Sequence, residues 1–448
     1  MEILVSRERP AGALCIFDDG MRFWLDREFQ YPCSRPASDD AARRQKRQSH
    51  VEQRSELQTL SGITILSLTQ FLLGPAGVHY LADLGADVIK IEPPGGAWER
   101  TWSGANHFLN GISPFFMLSH RNVRSITLNL KQREAQEVAR RLIASADVLV
   151  QNFRPGVVER FGLDYEAARG INPKLIYASV SGYGEESPDR ALPGQDLLIQ
   201  AMSGLMAATG RAAEPPTPAG AAVVDQHGAA LLAMGILAAL FHRERTGEGQ
   251  KIEVTMVQAA LDLQLEPVTY HLNGAQLARP QHSIASTFHS APYGVYETAD
   301  GYLVLSMTPV ETLSEALGGV PTLEPYESPD LAMPKREEIA DILRPILRTQ
   351  PTASWVATLR EKGVWCAPVN GYDQVFAEPA IQYLDPVLEF EHPEAGHVRL
   401  LKHPVRYGAG EPALRRLPPG IGEHTVEVLH GAGYSAAEIE HLRETGAV

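Results

Sequence analysis

One aspartate stands where a carboxylate could do covalent chemistry. Asp225 ends a loop of small residues, "PAGAAVVD", and directly precedes an apolar stretch with helical composition, residues 229–241. A carboxylate at a helix N-terminus faces unpaired N–H groups and the positive end of the helix dipole, which we expect to hold it ionised. An ionised carboxylate can serve as a covalent nucleophile. The same placement is typical of an ordinary helix cap, and spacing alone favours the cap.

Sequence signatures of other kinds of site are absent. No Gly-Lys-Ser/Thr follows a glycine run, the loop after the first strand reads "TQFLLGPAG" instead of GxGxxG, and neither GxSxG nor HExxH occurs. His392, His397 and His403 lie near Glu394, but their spacing fits no zinc template. We interpret them as part of a polar surface loop and predict no metal site. Cys366, in the apolar segment "GVWCAPVN", is predicted to be a buried, inert thiol.

Length, net charge and cysteine content limit the number of domains, the partners and the compartment to be expected. A chain of 448 residues exceeds one ordinary core, so two domains are expected. The net charge of -14, from 40 basic and 54 acidic residues, argues against nucleic acid as a partner. Three cysteines without a CxxC pair indicate a reducing compartment, and we predict a cytoplasmic protein. The apolar stretch at residues 229–241 is shorter than the roughly 20 residues of a membrane span, so no membrane association is expected.

Apolar strands alternate with helical segments from about residue 60. The strand "ITILSL", the helical segment "AGVHYLADLGA" and the strand "DVIKIE" (residues 87–92) form one βαβ unit. The pattern continues with the helix "KQREAQEVARRLIASA" and the strands "DVLVQNF" and "KLIYASVSGYG". A long helical region is predicted at residues 196–209. This alternation predicts an α/β fold with a parallel sheet that is covered on both faces.

Changes in composition and in the predicted secondary-structure pattern along the chain suggest four regions. Residues 1–56 are polar and basic and are predicted to be a flexible extension. Residues 57–272 carry the α/β pattern of a large domain. Residues 285–400 begin with a predicted hairpin at Asp300-Gly301 and read as a small α+β domain. Residues 401–448 are predicted to return to the large domain.

Ten segments in order resemble the family III CoA-transferases, a group with formyl-CoA transferase, carnitine CoA-transferase and the related α-methylacyl-CoA racemases. They include "LSLTQFLLGP", "LGADVIKIEPPGG", "RSITLNLK", "ADVLVQNFRPG", "PGQDLLIQAMSGL", "TPAGAAVVD" and "RTGEGQKIEVTM". The similarity is dense over residues 60–265 and looser toward the C-terminus. The resemblance implies a Rossmann-like large domain, a smaller α+β domain and two chains interlocked as a homodimer.

The resemblance also implies a mechanism. The family's nucleophilic aspartate falls on Asp225, which would attack an acyl-CoA thioester and then carry coenzyme A as an aspartyl thioester. The substrates would be an acyl-CoA and an organic acid, with coenzyme A bound as a substrate and no resident cofactor. Glycines at 182, 184 and 220 could let backbone N–H groups approach the reacting oxyanion.

Coenzyme A-binding positions carry over from the same resemblance. The family's Asn-Phe pair falls on Asn152 and Phe153, and the arginine that follows falls on Arg160. The "LNLK" segment supplies Leu128 and Lys131, where a lysine could meet the phosphates of coenzyme A as a point charge. Without the resemblance, Phe153 would be read as core and the two basic residues as solvated surface.

Three departures from the family pattern bear on the reaction. Leu72, predicted as a further coenzyme A-binding position, replaces a glutamine of formyl-CoA transferase, and Pro93 replaces an arginine. Gln195 stands where the racemases carry a catalytic histidine, and glutamine cannot exchange a proton at an α-carbon. CoA transfer is therefore the preferred prediction. Racemisation of a 2-methylacyl-CoA and non-catalytic acyl-CoA binding are the alternatives, and Asp196 is the second carboxylate to consider as nucleophile.

Overall fold

A six-stranded parallel sheet forms the centre of residues 56–448 in the computed structural model of the chain. The structure describes residues 55–282 and 285–448. In the first 54 residues it describes only the backbone of two short strands, β1 (Leu14–Ile16) and β2 (Arg22–Trp24), which pair antiparallel. Apart from these strands and its last two residues, the predicted flexible extension, residues 1–56, lies outside the described residues.

The parallel sheet has the strand order of a Rossmann fold. Its strands are β3 (Thr64–Leu68), β4 (Asp87–Glu92), β5 (Val123–Thr127), β6 (Val148–Gln151), β7 (Ile176–Ser181) and β8 (Lys251–Thr255). They lie in the order β5-β4-β3-β6-β7-β8, and every neighbouring pair is parallel. The connections leave β3 and β6 in opposite directions, which opens a crevice where these two strands end.

Helices cover both faces of this sheet, which is why its central strands read as continuous apolar runs. The helices of this part of the chain are α1 (Leu73–Asp83), α2 (Pro114–Met117), α3 (Arg133–Ser145), α4 (Val157–Phe161), α5 (Tyr165–Ile171), α6 (Asp196–Met202), α7 (Leu205–Ala208), α8 (Val223–Thr246), α9 (Met256–Leu263) and α10 (Leu265–Leu272). One face buries Leu81 of α1 and Ile236 of α8. The other face buries Val138 and Leu142 of α3.

Two helices differ from the sequence prediction. The region predicted as one helix over residues 196–209 is divided into α6 and α7, because Gly204 between them has a φ of 90°. The predicted helix at residues 229–241 is longer at both ends, since α8 runs for 24 residues from Val223 and stops at Gly247, whose φ is 78°. By length and composition α8 could cross a membrane, but one side of it is buried against α1 and the sheet.

A second core lies in the smaller α+β part of the chain. Three antiparallel strands, in the order β11-β10-β9, pack against helices over a core that includes Leu303, Leu343 and Trp355. The strands are β9 (Gly294–Glu297), β10 (Tyr302–Leu305) and β11 (Cys366–Pro368), and the helices are α11 (Val310–Ala316), α12 (Pro329–Ala332), α13 (Arg336–Leu347) and α14 (Thr352–Glu361). The thiol of Cys366 is half-buried, and burial raises its pKa. The α/β class with a parallel large sheet and a smaller α+β part is as predicted.

The chain then packs against the large sheet again. It contains α15 (Tyr372–Val375), α16 (Pro379–Leu384), the antiparallel hairpin β12 (Val387–His392) and β13 (Gly396–Leu401), α17 (Thr425–Gly431) and α18 (Ala436–Glu444). The hairpin packs through Val398 on Met117 of α2. Leu429 and Leu442, from the last two helices, join the core beneath α3.

Candidate functional site

A cleft of about 400 Å³ opens at the carboxyl edge of the parallel sheet, the edge at which its strands end. Its walls come from the ends of β3 and β4 and from the segments that follow β5 and β6. The lining residues are Leu68, Thr69, Gln70, Ile91, Glu92, Pro93, Gly96, Ala97, Trp98, Leu128, Asn129, Leu130, Lys131, Phe153, Val157 and Phe161. The cleft therefore lies at the position where open parallel sheets bind their ligands.

Three residues predicted to bind coenzyme A meet in this cleft. Leu128 is buried and forms part of the cleft surface, while Lys131 is exposed on the same segment. Phe153 reaches the cleft from the other half of the sheet, after β6. These side chains combine an apolar surface with one cation, which suits a ligand with an apolar body and a phosphate group.

Asn152 pairs through its side chain with the backbone of the loop after β3. Its Oδ1 accepts a hydrogen bond from Gln70 N at 2.8 Å, and its Nδ2 donates to Gln70 O at 2.8 Å. The side chain thus continues the pairing of β3 with β6 beyond the last residues of the strands. Asn152 holds the loop that precedes α1, and a direct contact with coenzyme A stays a prediction.

Leu72 and Arg160 do not line the cleft. Leu72 is buried in a small apolar cluster with Ala76 and Ala229, against which Phe115 and Ala222 pack. Arg160 is exposed on α4, next to the cleft residue Phe161. The structure therefore gives Leu72 a packing role beside the start of α8, whereas coenzyme A contacts of Leu72 and Arg160 remain predictions.

Asp225 lies in the first turn of α8, at the same edge of the sheet as the cleft. Because α1 follows β3 and runs back along the sheet, its N-terminus lies at the carboxyl edge. The helices α1 and α8 are parallel, since Leu73 packs on Gly228 and Gly77 packs on Leu232, and these contacts leave no space for a Cβ atom on either glycine. The close contact of the two helices therefore puts the N-terminus of α8 near the end of β3.

Asp196, and not Asp225, caps the N-terminus of α8. Oδ1 of Asp196 accepts hydrogen bonds from Val224 N at 2.8 Å and from Asp225 N at 3.1 Å. Its Oδ2 accepts a hydrogen bond from the buried Gln200 at 2.5 Å. The interpretation of Asp225 as a helix cap is therefore wrong, because the side chain of Asp196, in the preceding part of the chain, accepts the hydrogen bonds of those N–H groups.

The environment of Asp225 disfavours its charge. Partial burial, followed by the neighbouring Asp196 carboxylate, raises the pKa of Asp225 from 3.8 to about 7. Our expectation that the helix dipole would keep this group fully ionised at neutral pH is not met, since the first N–H groups of α8 already bind Asp196. A carboxylate that titrates near neutral pH is typical of a functional site.

Glycine allows the close packing that positions Asp196. Gly182, after β7, packs directly on Gly194, and a Cβ atom on Gly182 would lie 2.9 Å from Cα of Gly194. The exposed Gln195 and then Asp196 follow at once. Gly182 therefore serves the approach of two backbone segments, while the suggested oxyanion contacts of Gly182, Gly184 and Gly220 stay predictions.

Two buried ion pairs lie beneath the cleft and were not predicted. Nζ of Lys90 lies 2.7 Å from Oε1 of Glu99, and both side chains are almost fully buried. Arg100 pairs with Glu92 at 2.7 Å, and Glu92 also faces the cleft. Such pairs fix the segment after β4 against the sheet, because either partner left alone would be a buried, uncompensated charge. The strand "DVIKIE" showed the apolar pattern but gave no indication of these partners.

The histidines noted in the sequence do not come together. His392 and His397 lie on the β12–β13 hairpin, where His397 contacts carboxylates of the same hairpin. The side chain of His403 is only 5% exposed, and its Nδ1 lies 3.6 Å from Asp83, which also binds Arg121 at 2.6 Å. The surface-loop interpretation is therefore wrong for His403. Within the part of the chain that the structure describes, no three potential ligands are grouped for a metal ion.

Comparison with known proteins gives the family. Residues 60–425 match the model of CoA-transferase family III. An acyl-CoA transferase from Fusarium pseudograminearum is 35% identical over 406 residues, which cover 87% of this chain and 88% of the relative. The succinyl-CoA:glutarate CoA-transferase of Mus musculus is 32% identical over 405 residues, which cover 88% of this chain and 91% of the relative. The crystal structure of a CAIB/BAIF family protein from Brucella suis is 29% identical, with 85% of this chain and 100% of that chain covered and a TM-score of 0.73.

The matched range includes the whole parallel sheet, the cleft at its carboxyl edge and Asp225 in α8. The resemblance seen in the sequence is thereby confirmed. The chain belongs to CoA-transferase family III and is a CoA-transferase.

Proposed function

We propose that this enzyme moves coenzyme A from an acyl-CoA to a free carboxylic acid through covalent intermediates on Asp225. The observation that carries the proposal is the position of a partly buried carboxylate, with its pKa raised to about 7, at the same sheet edge as the cleft. Near neutral pH such a group is ionised in a large fraction of molecules. Its burial leaves it poorly solvated, which favours attack on a carbonyl carbon.

Each half of the reaction consists of two acyl exchanges, the first at the thioester carbonyl and the second at the aspartyl carbonyl. The Asp225 carboxylate attacks the thioester carbonyl and the carbon–sulfur bond breaks. Coenzyme A leaves as a thiolate, and a mixed anhydride of Asp225 and the acyl group remains. The thiolate attacks the Asp225 carbonyl of that anhydride, which releases the first acid and leaves an aspartyl-CoA thioester. The acceptor carboxylate then repeats the two exchanges in reverse. No net proton or electron is consumed, so the reaction requires no cofactor.

The residues around Asp225 support this role. Asp196 occupies the N–H groups at the start of α8, so those groups do not bind the Asp225 carboxylate in its place. The cleft offers the lysine and the aromatic side chain that the family resemblance assigns to coenzyme A, Lys131 and Phe153. We propose that these two residues contact the nucleotide end of the donor, which leaves the thioester end for Asp225.

The identity of the acids is proposed from the relatives. The mouse relative is named for succinyl-CoA and glutarate, and the fungal relative for acyl-CoA in general. Short dicarboxylic acids are therefore the first acceptors to test, with succinyl-CoA as the first donor. Transfer should be measured as formation of the new thioester by chromatography, with each acid supplied in turn.

Mass spectrometry tests the covalent step. After incubation with an acyl-CoA, the peptide that contains Asp225 should carry the mass of coenzyme A, and hydroxylamine should convert the same residue to a hydroxamate. Asp225→Asn should give neither adduct and should lose nearly all turnover. Asp341→Asn, which removes an exposed carboxylate of α13, is the matched control and should keep the adducts and the turnover. Turnover in a well-folded Asp225→Asn protein would contradict the mechanism, and binding of acyl-CoA without any adduct would favour the non-catalytic alternative.

Gln195 argues against the racemase alternative. It is exposed immediately before α6, beside Asp196, at the position where the racemases carry a histidine. An amide does not accept or return an α-proton at neutral pH. Incubation of a 2-methylacyl-CoA in heavy water, with no acceptor acid present, should give no α-deuterated product. Rapid deuteration would overturn the transferase preference for this substrate class.

We further propose that two chains associate as a dimer. The helices α8, α9 and α10 expose large apolar side chains in addition to those they bury, namely Met234, Leu237, Phe241, Leu261, Leu265 and Leu272. An apolar surface of this extent is typical of a surface that another protein chain covers. Sedimentation at low concentration should give twice the monomer mass. A monomer that retains full activity would contradict the proposal.

A further inference from the structure

Four aromatic side chains form a continuous row beside the cleft. Trp98 lies between Phe71, at a centroid distance of 5.0 Å, and Trp102, which stacks on it at 5.4 Å. Phe115 meets Trp102 edge to face at 4.7 Å. Phe71, Trp98 and Trp102 are 45%, 47% and 41% exposed, so the row presents a large apolar surface to solvent. Aromatic side chains of this size are usually mostly buried, and a group of exposed ones is typical of a binding surface.

The row connects the two parts of the site. At one end, Trp98 is itself a lining residue of the cleft. At the other end, Phe115 packs on the cluster of Leu72 and Ala229, together with Ala222, the residue that precedes α8. A ligand that enters the cleft and extends to the first turn of α8, where Asp225 lies, therefore passes along this row.

The backbone around the row is fixed by buried polar contacts. Phe71 has a φ of 62°, a left-handed conformation that a bulky residue rarely adopts and that brings its ring to Trp98. Lys90 donates to Thr69 O at 3.0 Å and pairs with Glu99, the residue after Trp98. These contacts join the loop before α1 to the segment after β4. The rings are thus held in place before a ligand binds, which lowers the entropy lost on binding.

We infer that this aromatic row binds the pantetheine arm of the acyl-CoA, with Trp98 as its principal contact. The inference rests on the proposed function, since it takes Asp225 as the destination of the thioester. The pantetheine arm is a flexible chain of methylene and amide groups, and flat aromatic surfaces contact such groups over a large area. The same cleft is also lined by Lys131 and Phe153, which remain for the nucleotide end of the ligand.

Binding measurements with truncated ligands test this assignment without any turnover. In an Asp225→Asn background, titration calorimetry should compare coenzyme A with adenosine 3′,5′-bisphosphate, which lacks the pantetheine arm. Trp98→Ala should weaken coenzyme A about tenfold, as expected for loss of one aromatic contact, and should change the affinity for the bisphosphate less than twofold. Trp98→Phe should retain most of the affinity. Lys131→Ala should weaken both ligands.

Three results would overturn the inference. Equal weakening of both ligands by Trp98→Ala would mean that Trp98 stacks on the adenine. Unchanged affinity for both would mean that the row binds neither part. Dissociation of the protein in the ultracentrifuge after Trp98→Ala would mean that a second chain covers the row. Trp365→Ala, which removes a 61% exposed tryptophan of the smaller α+β part, is the control and should alter neither affinity. A missing Asp225 adduct would refute the covalent mechanism and leave these binding results interpretable.

Discussion

Replacement of Asp225 by asparagine should stabilise the fold at alkaline pH while it abolishes turnover. The pKa of Asp225 is raised from 3.8 to about 7, a difference of about 3 units. Since one unit corresponds to about 1.4 kcal/mol, the ionised carboxylate lowers the free energy of unfolding by up to about 4 kcal/mol above pH 7. The side chain keeps some contact with water, so we expect an effect of about 2–4 kcal/mol. Such an opposition to folding is what we expect of the proposed nucleophile, because activity is often gained at the expense of stability.

The effect has a definite dependence on pH. The folded state binds the Asp225 proton more tightly than the unfolded chain, so the contribution of Asp225 to wild-type stability should fall as pH rises from about 4 to about 7. The asparagine side chain of the Asp225→Asn variant does not titrate, so the difference in thermal denaturation midpoint between variant and wild type should grow over that range and be small near pH 4. Asp341→Asn, which removes an exposed carboxylate in α13, should show no such growth. A loss of about 1 kcal/mol at every pH, as expected for a lost helix cap, would refute this reasoning.

Two further predictions concern the elements that position Asp225. Asp196→Asn keeps an oxygen to cap α8 but removes the negative charge beside Asp225, so the pH at which kcat/KM reaches half its maximum should fall. An unchanged pH profile would show that Asp196 does not act through its charge. Gly228→Ala puts a Cβ atom 2.6 Å from Leu73, so unfolding measurements should show a loss of about 1–3 kcal/mol. Gly170→Ala, with no atom within 4 Å, is the control, and equal stability of the two variants would contradict the packing argument.

Local pattern was enough to predict the parallel sheet. The strand predicted at residues 87–92 has the same bounds in the structure, because its apolar run is buried between two layers of helices. The end of α8 was predicted too early, at residue 241, although Gly247 supplies the left-handed conformation that ends the helix after Thr246. The start of α8 was not visible, because its cap is the side chain of Asp196 in α6, and no residue close to Val223 signals it.

The sequence by itself determined the fold class, the family and the choice of Asp225, since these depend on residue types in a fixed order along the chain. Tertiary structure decided the chemical state of that residue. Its pKa depends on burial and on Asp196, and the row from Phe71 to Phe115 depends on two connections, after β3 and after β4, that meet at one edge of the sheet. Solvent exclusion and the field of distant charges act through space, so residues far apart in the chain set them together, and no local pattern records the result.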